Sequence, residues 1–248
     1  MQMFDTHRPM KPRLAAVLIL AGAIFAPGIP EAALLLQPVK PIPGLQPGDR
    51  YHYVFVTVGV TPATFVTIED YNGFVDIQAD ATGVFQSLDI QWRAIASTPG
   101  TSAQTNISAL VTTDAPVFLP DGTMVAAAVS DLFDTETHPL LSTITMTQNE
   151  TLRAEMVWTG TGTHGESLGS GALGGTSSST GVGHAQIPSA GWLFGSYRTK
   201  TEEFSLYAFS EELEVPAVPA PATVSLLPMG LLPLLRRRSN IGARVSIA

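Results

Sequence analysis

The chain of 248 residues contains no cysteine. That excludes disulfides, thiolate catalysis, iron–sulfur clusters and cysteine-ligated zinc. A domain of this length does not need disulfides, because it is long enough to bury a real core. Charge is scarce as well: only 14% of residues are Asp, Glu, Lys or Arg. Basic residues are nearly missing from the middle. Residues 34–217 hold six of them (Lys40, Arg50, Arg93, Arg153, Arg198, Lys200) against nineteen acids, a net of −13, whereas the whole chain is −8. So acidic a body repels phosphate backbones, which excludes nucleic acid as a partner. No apolar run reaches the roughly 20 residues that a membrane-spanning helix needs.

What is abundant is glycine, proline and apolar sequence, with 22 Gly and 19 Pro. The N-terminus has a basic start (Arg8, Lys11, Arg13), an apolar run over 14–26, and then Pro27, Gly28, Pro30, Ala32 and Ala33. This is the layout of a signal peptide cleaved near Ala33 and read by the Sec export machinery. The C-terminus carries Val218-Pro219-Ala220-Pro221-Ala222-Thr223, an apolar stretch of 12 residues over 224–235, and Arg236, Arg237 and Arg238. Pro228 and Pro233 interrupt the apolar stretch, which makes it a poor stable membrane helix.

This tail resembles the PEP-CTERM sorting signal in its VPLPA-like form, with a Val-Pro-x-Pro-Ala motif, an apolar stretch and an arginine cluster. The sorting residues are Val218, Pro219, Pro221, Ala222, Arg236, Arg237 and Arg238. The resemblance implies processing by an exosortase-type transpeptidase and a place in the cell envelope or extracellular matrix, where exopolysaccharide is an expected partner. It differs from the usual signal in Ala220, in its internal prolines and in ten residues after the arginines. The alternative is an ordinary tail anchor. The expected organisation is a signal peptide at 1–33, a Pro-rich lead-in at 34–50, one globular domain at 51–215, the sorting tail at 216–238 and a short polar extension at 239–248.

Within the body, residues 51–60 (YHYVFVTVGV) form the strongest strand signal, rich in β-branched and aromatic residues. Phe74, Ile77 and Ala81 lie at helical spacing, so a short helix is expected within 70–84. Residues 89–96 alternate, with Ile90, Trp92, Ala94 and Ala96 on one side. Residues 152–158 also alternate. Asp121-Gly122 marks a turn. The stretch 160–183 is dominated by Gly, Ser and Thr and reads as a long loop region. Strands are expected again at 192–197 and 204–209. The sum is a β-rich α+β single domain, with a β-sandwich as the alternative.

The order of these landmarks resembles a family of secreted bacterial domains of unknown function, related to the endostatin-like branch of the C-type-lectin-like fold. The matching segments are Val54-Phe55-Val56-Thr57, Ala79-Asp80-Ala81-Thr82-Gly83-Val84, Arg93-Ala94-Ile95-Ala96-Ser97, Asp121-Gly122-Thr123, Val125-Ala126, Asp131-Leu132, Trp158-Thr159-Gly160-Thr161, the late Trp192, and Leu206-Tyr207-Ala208-Phe209-Ser210-Glu211. The family's cysteine positions carry other residues here, Ala208 most clearly. The resemblance implies that the strands at 51–58 and 204–209 pair side by side. Both ends of the domain would then meet at one pole, with the loop region at the other.

No catalytic constellation converges. Gly165-Glu166-Ser167-Leu168-Gly169 matches G-x-S-x-G, but no strand precedes it and no helix follows, as a nucleophile elbow requires. A serine hydrolase would need His164 or His184 beside Ser167. Gly169-Ser170-Gly171-Ala172-Leu173-Gly174 matches G-x-G-x-x-G without the βαβ unit that gives that pattern meaning. His164 and His184, with Glu166, could in principle ligate a metal, but their spacing fixes no geometry. No calcium-loop pattern occurs. The expectation is therefore a non-enzymatic protein without cofactor or metal, and with His164, Glu166, His184 and Trp192 as candidate surface contacts. A carbohydrate- or cation-binding module is the second reading. Trp92 and Trp158 lie in alternating strands and are expected in the core.

Overall fold

The β-branched and aromatic run after Arg50 folds as the central strand it suggests. The computed structural model describes residues 40–217, apart from Pro41, Thr82, Ser87, Thr135 and Glu136. The expected signal peptide, most of the Pro-rich lead-in before residue 40, and the sorting residues Val218, Pro219, Pro221, Ala222, Arg236, Arg237 and Arg238 lie outside the described residues.

Strand β1 (Arg50–Val56) alternates strictly. Tyr51, Tyr53 and Phe55 enter one hydrophobic core, and Val54 and Val56 enter a second on the opposite face. The last long strand, β9 (Glu203–Ser210), pairs with it antiparallel, Val54 opposite Phe209 and Val56 opposite Tyr207. It alternates in the same way: Leu206 and Ala208 face the first core, Tyr207 and Phe209 the second. The two-residue side-chain period of a strand puts successive residues on opposite faces. A central pair apolar on both faces must therefore be covered twice.

Between β1 and β9 the chain forms β2 (Thr61–Pro62), β3 (Trp92–Ala94), β4 (Val117–Phe118), β5 (Met124–Ala126), β6 (Met156–Trp158), β7 (Ser179–His184) and β8 (Ser196–Thr199). A short β10 (Leu213–Glu214) follows. They join one mixed sheet in the order β5-β4-β1-β9-β6-β7-β8; β10 pairs with β1, and β2 and β3 pair with β9. The β1–β4 and β6–β9 pairs are parallel and the others antiparallel. One sheet covered by helices and loops replaces the expected alternative of two facing sheets.

Helix α1 (Ile68–Ala81) covers the first core and α2 (Ala103–Ser108) the second. A reciprocal cap starts α1. The Asp70 amide donates to Thr67 Oγ1 at 3.3 Å, and the Thr67 amide and hydroxyl donate to Asp70 Oδ2 at 3.4 and 2.7 Å. This T-x-x-D box satisfies N-terminal donors, and the early acids suit the helix dipole. The helix is where spacing placed it, but its buried face differs. Ile68, Tyr71, Val75 and Ala79 point inward with Phe74 partly buried against the same core, whereas Ile77 is 66% exposed and Ala81 is exposed. The 89–96 segment buries Trp92, Ala94 and Ala96 as expected, although only Trp92–Ala94 pairs as a strand. The formal strand in 152–158 is likewise shorter, and Leu152 is exposed.

The two ends of the folded unit are tied together. Gly48 donates its amide to Val215 O, and Val215 donates to Asp49 O, both at 2.8 Å. Both chain ends therefore leave from one pole of the sheet.

Candidate functional site

The Gly/Ser-rich tract was expected to be a displayed loop. Its glycines instead let backbone enter the core. Ala172 and Leu173 are fully buried, and the Leu173 amide donates to Ser97 O at 2.9 Å. Gly174 donates to Ala63 O at 3.1 Å with φ +66°, and a Cβ there would overlap the Phe65 carbonyl oxygen. The tract then ends in β7, a strand that composition conceals. Ala63 follows β2, which pairs with Phe204 and Glu203 at the start of β9. This part of the tract thus lies at the pole remote from the chain ends, as the resemblance implies.

Trp192 is not a surface contact. It is fully buried in the second core, edge-on to Tyr207 with ring centroids 5.4 Å apart. A 3₁₀ turn, Ala190–Trp192, delivers it there in place of the start of an expected strand. His164 and Glu166 are exposed, but Glu166 folds back on its own turn, its Oε2 accepting from the His164 amide at 2.9 Å. His184 is half-buried at the end of β7, opposite Met156. Ser167 donates its hydroxyl to Thr98 O at 2.7 Å and accepts from the Gly169 amide at 3.1 Å, so its oxygen serves as a loop clamp. Among the described residues no group of three or more His, Asp or Glu is arranged to hold a metal. Among the same residues no helix is long and apolar enough to cross a membrane.

The structure does assemble an open groove that no motif announced, edged by polar side chains while most of its exposed surface is apolar. Glu69, Asn72, Gly73 and Asp76 on one stripe of α1 face Gln91, Trp92 and Arg93 across a space of about 260 Å³. Positions i, i+3, i+4 and i+7 share one helix face, which is why these four converge. The wall opposite is held by an amide clamp. Asn72 and Asn106 exchange reciprocal side-chain hydrogen bonds of 3.0 and 2.8 Å. Asn72 Oδ1 also accepts from the Ala94 amide at 2.9 Å, while Asn106 Nδ2 donates to Ala94 O at 2.8 Å. The two helices thus meet the Ala94 amide and carbonyl on the free edge of β3 with side chains. Arg93 Nη1 donates to Asn106 O at 3.1 Å.

Two further features mark the groove. Gly73 lies mid-helix, where glycine costs about 1 kcal/mol relative to alanine, yet a Cβ there would meet nothing within 4 Å. Glu69, Asp76 and Arg93 form no ion pair among the described residues. Asp76 accepts from the Trp92 amide at 3.3 Å, and its carboxyl is pushed up by partial burial, with Asp80 adding to the effect.

Elsewhere titratable groups serve the fold. His52 is fully buried and stacks on Phe209, and its Nδ1 donates to Ser210 O at 3.0 Å. Burial pushes the imidazole down, so it stays neutral. Burial alone would raise Glu212, but hydrogen bonds from Thr112, Thr113 and Arg50 hold it down to about 2. Both pKa values are depressed on folding. Their stabilisation is complete above the unfolded values of 6.5 and 4.5 and is lost as pH falls below each. Stability should therefore decline from about pH 6.5 downward. The Glu212 share is about 1–2 kcal/mol once solvent screening at the half-exposed Arg50 is allowed for. Thermal unfolding from pH 7 to 3 checks this, with Glu212→Gln expected to flatten the segment below pH 4.5. A third group, His138, is exposed beside an apolar cleft. Its Nδ1 lies 2.9 Å from Asp134, whose hydrogen bond raises the imidazole, so this surface contribution fades as pH rises.

No protein-family model matches the chain, and no curated protein matches it.

Proposed function

We propose that the chain is an exported, non-catalytic protein of the cell envelope or extracellular matrix, sorted through its C-terminal tail by an exosortase-type transpeptidase. Its globular part is an endostatin-like variant of the C-type-lectin-like fold that meets exopolysaccharide or another surface partner. The observation that carries this reading is the joining of the domain's two ends between Gly48, Asp49 and Val215. A leader removed before this point and a tail processed after it would both leave the domain's hydrogen bonds intact. A tether at the same pole would hold β9's first residues and the packed 171–175 segment away from the membrane. The acidic body, at −13, suits an exported protein that stays clear of anionic phosphates. Ala208 at the family's cysteine position is fully buried in the first core, where apolar packing stands in for a disulfide.

The tail carries the sorting information in this account, and the arginine cluster is its most easily altered part. Replacing Arg236, Arg237 and Arg238 together with glutamine is expected to leave export intact and the C-terminus uncut. Unchanged processing of that variant in its own host would overturn the sorting reading.

A further inference from the structure

The groove between α1 and β3 brings carboxylate, amide and guanidinium side chains around an exposed glycine of the helix. We propose that it binds one saccharide unit of a hydroxyl-rich polymer, contacted by Glu69, Asp76, Gln91 and Arg93, with the bare backbone at Gly73 as the floor. The inference rests on the proposed envelope role only for the polymeric source of the ligand; the site itself is read from the groove.

The chemistry narrows the occupant. Carboxylates accept from neighbouring hydroxyls, while amides and a guanidinium both orient and donate. A lining that mixes these groups, with both signs of charge, suits a neutral polyol better than an ion. Glu69 and Asp76 are seven residues apart, about 10 Å along the helix axis, too far to chelate one cation together. Arg93 on the opposite wall repels a cationic segment, and the two carboxylates repel phosphate. The volume of about 260 Å³ lies just below the range of drug-sized sites, which fits a single ring of a chain that continues into solvent.

Gly73 supplies the independent observation. Its φ is ordinary and no neighbour lies near its missing Cβ, so neither backbone nor packing calls for glycine. Glycine where a helix would do better with alanine, on the floor of the groove, is explained by close approach of something outside the chain. The clamp of Asn72 and Asn106 holds the two walls at fixed separation, so the site is formed before a ligand arrives.

The test uses the full-length protein on an array of neutral, amino-sugar and uronate oligosaccharides, with each hit titrated in solution. The expected result is binding to at least one class that weakens tenfold or more in Gly73→Gln, whose side chain fills the groove. Gly73→Ala should weaken binding by more than threefold though less than Gly73→Gln, because its Cβ enters the space that close approach of the ligand requires, whereas in the loop variant Glu166→Ala binding should change less than threefold. Thermal unfolding of Gly73→Gln at or above the parent temperature would show that the loss is not misfolding. Binding that survives Gly73→Gln and is lost in Glu166→Ala would overturn the groove while leaving the envelope role standing. So would capture of an arginine-rich peptide with no sugar bound, and so would no binding to any class at millimolar concentration. A cut or uncut C-terminus reports on the sorting reading separately.

Discussion

Replacing Asn106 with alanine is expected to destabilise the protein by about 3 kcal/mol. The side chain is 1% exposed and spans three elements. Its removal strands Ala94 O, which loses its donor from Nδ2, and leaves the Asn72 amide group without its reciprocal partner. The Arg93 guanidinium keeps only the Asn106 main-chain carbonyl. A buried polar group left unpaired costs about 1–3 kcal/mol, so two such losses dominate the transfer gain from the smaller side chain. Asn72→Ala should cost less, because that residue is half-buried and water can reach part of the break. The double variant should fall short of the sum, since the two share one network. Urea unfolding of the three variants checks this. A loss below about 1 kcal/mol for Asn106→Ala would mean that the β3 edge does not depend on the clamp.

The second large effect is a contrast of sign between two glycine-to-alanine changes. In Gly183→Ala the new Cβ would overlap the Trp192 carbonyl oxygen, with the Leu193 amide nitrogen 3.2 Å away. Both obstacles are backbone, in a turn that carries the buried Trp192, so relief requires moving the turn and the core behind it. A cost of about 3 kcal/mol or more is expected, as for other overpacked core sites. In a domain of this size that corresponds to a fall in Tm of roughly 10 °C. Gly73→Ala is expected to raise stability by up to about 1 kcal/mol, because the helix gains a better former and nothing stands in its way. Differential scanning of both variants at pH 7 decides the matter. Equal Tm values would contradict the close approach of β7 to the 190–193 turn.

These two cases also show where the sequence was legible. Strands β1 and β9 could be read because strand period and residue type agree there, and the face of the 89–96 segment followed from alternation alone. Helix α1 was legible as a helix but not in its rotation. Phe74, Ile77 and Ala81 make one apolar set at helical spacing, whereas Ile68, Tyr71, Val75 and Ala79 make another that wins because it faces β3 and β9. The Thr67–Asp70 cap that starts the helix went unread, because apolar spacing alone carried the expectation. The glycine tract misled because composition reports what a backbone is free to do, not what packs against it. Buried Ala172, Leu173 and Val182 among the glycines were the available sign that it enters the core. The groove had no sequence signature. Its walls come from α1 and from a strand about twenty residues on, and its clamp joins residues 34 positions apart. Only the unneeded glycine in α1 was visible locally.

In the proposed reading an exported domain is closed at one pole and processed outside it at both ends. Intact mass of the protein recovered from the envelope and medium of its own host tests it most directly. The expected species lacks residues up to about Ala33 and from about Pro219 onward, with the 49–215 domain whole. A chain carrying its full C-terminus in the inner-membrane fraction would contradict it and make the tail a plain anchor.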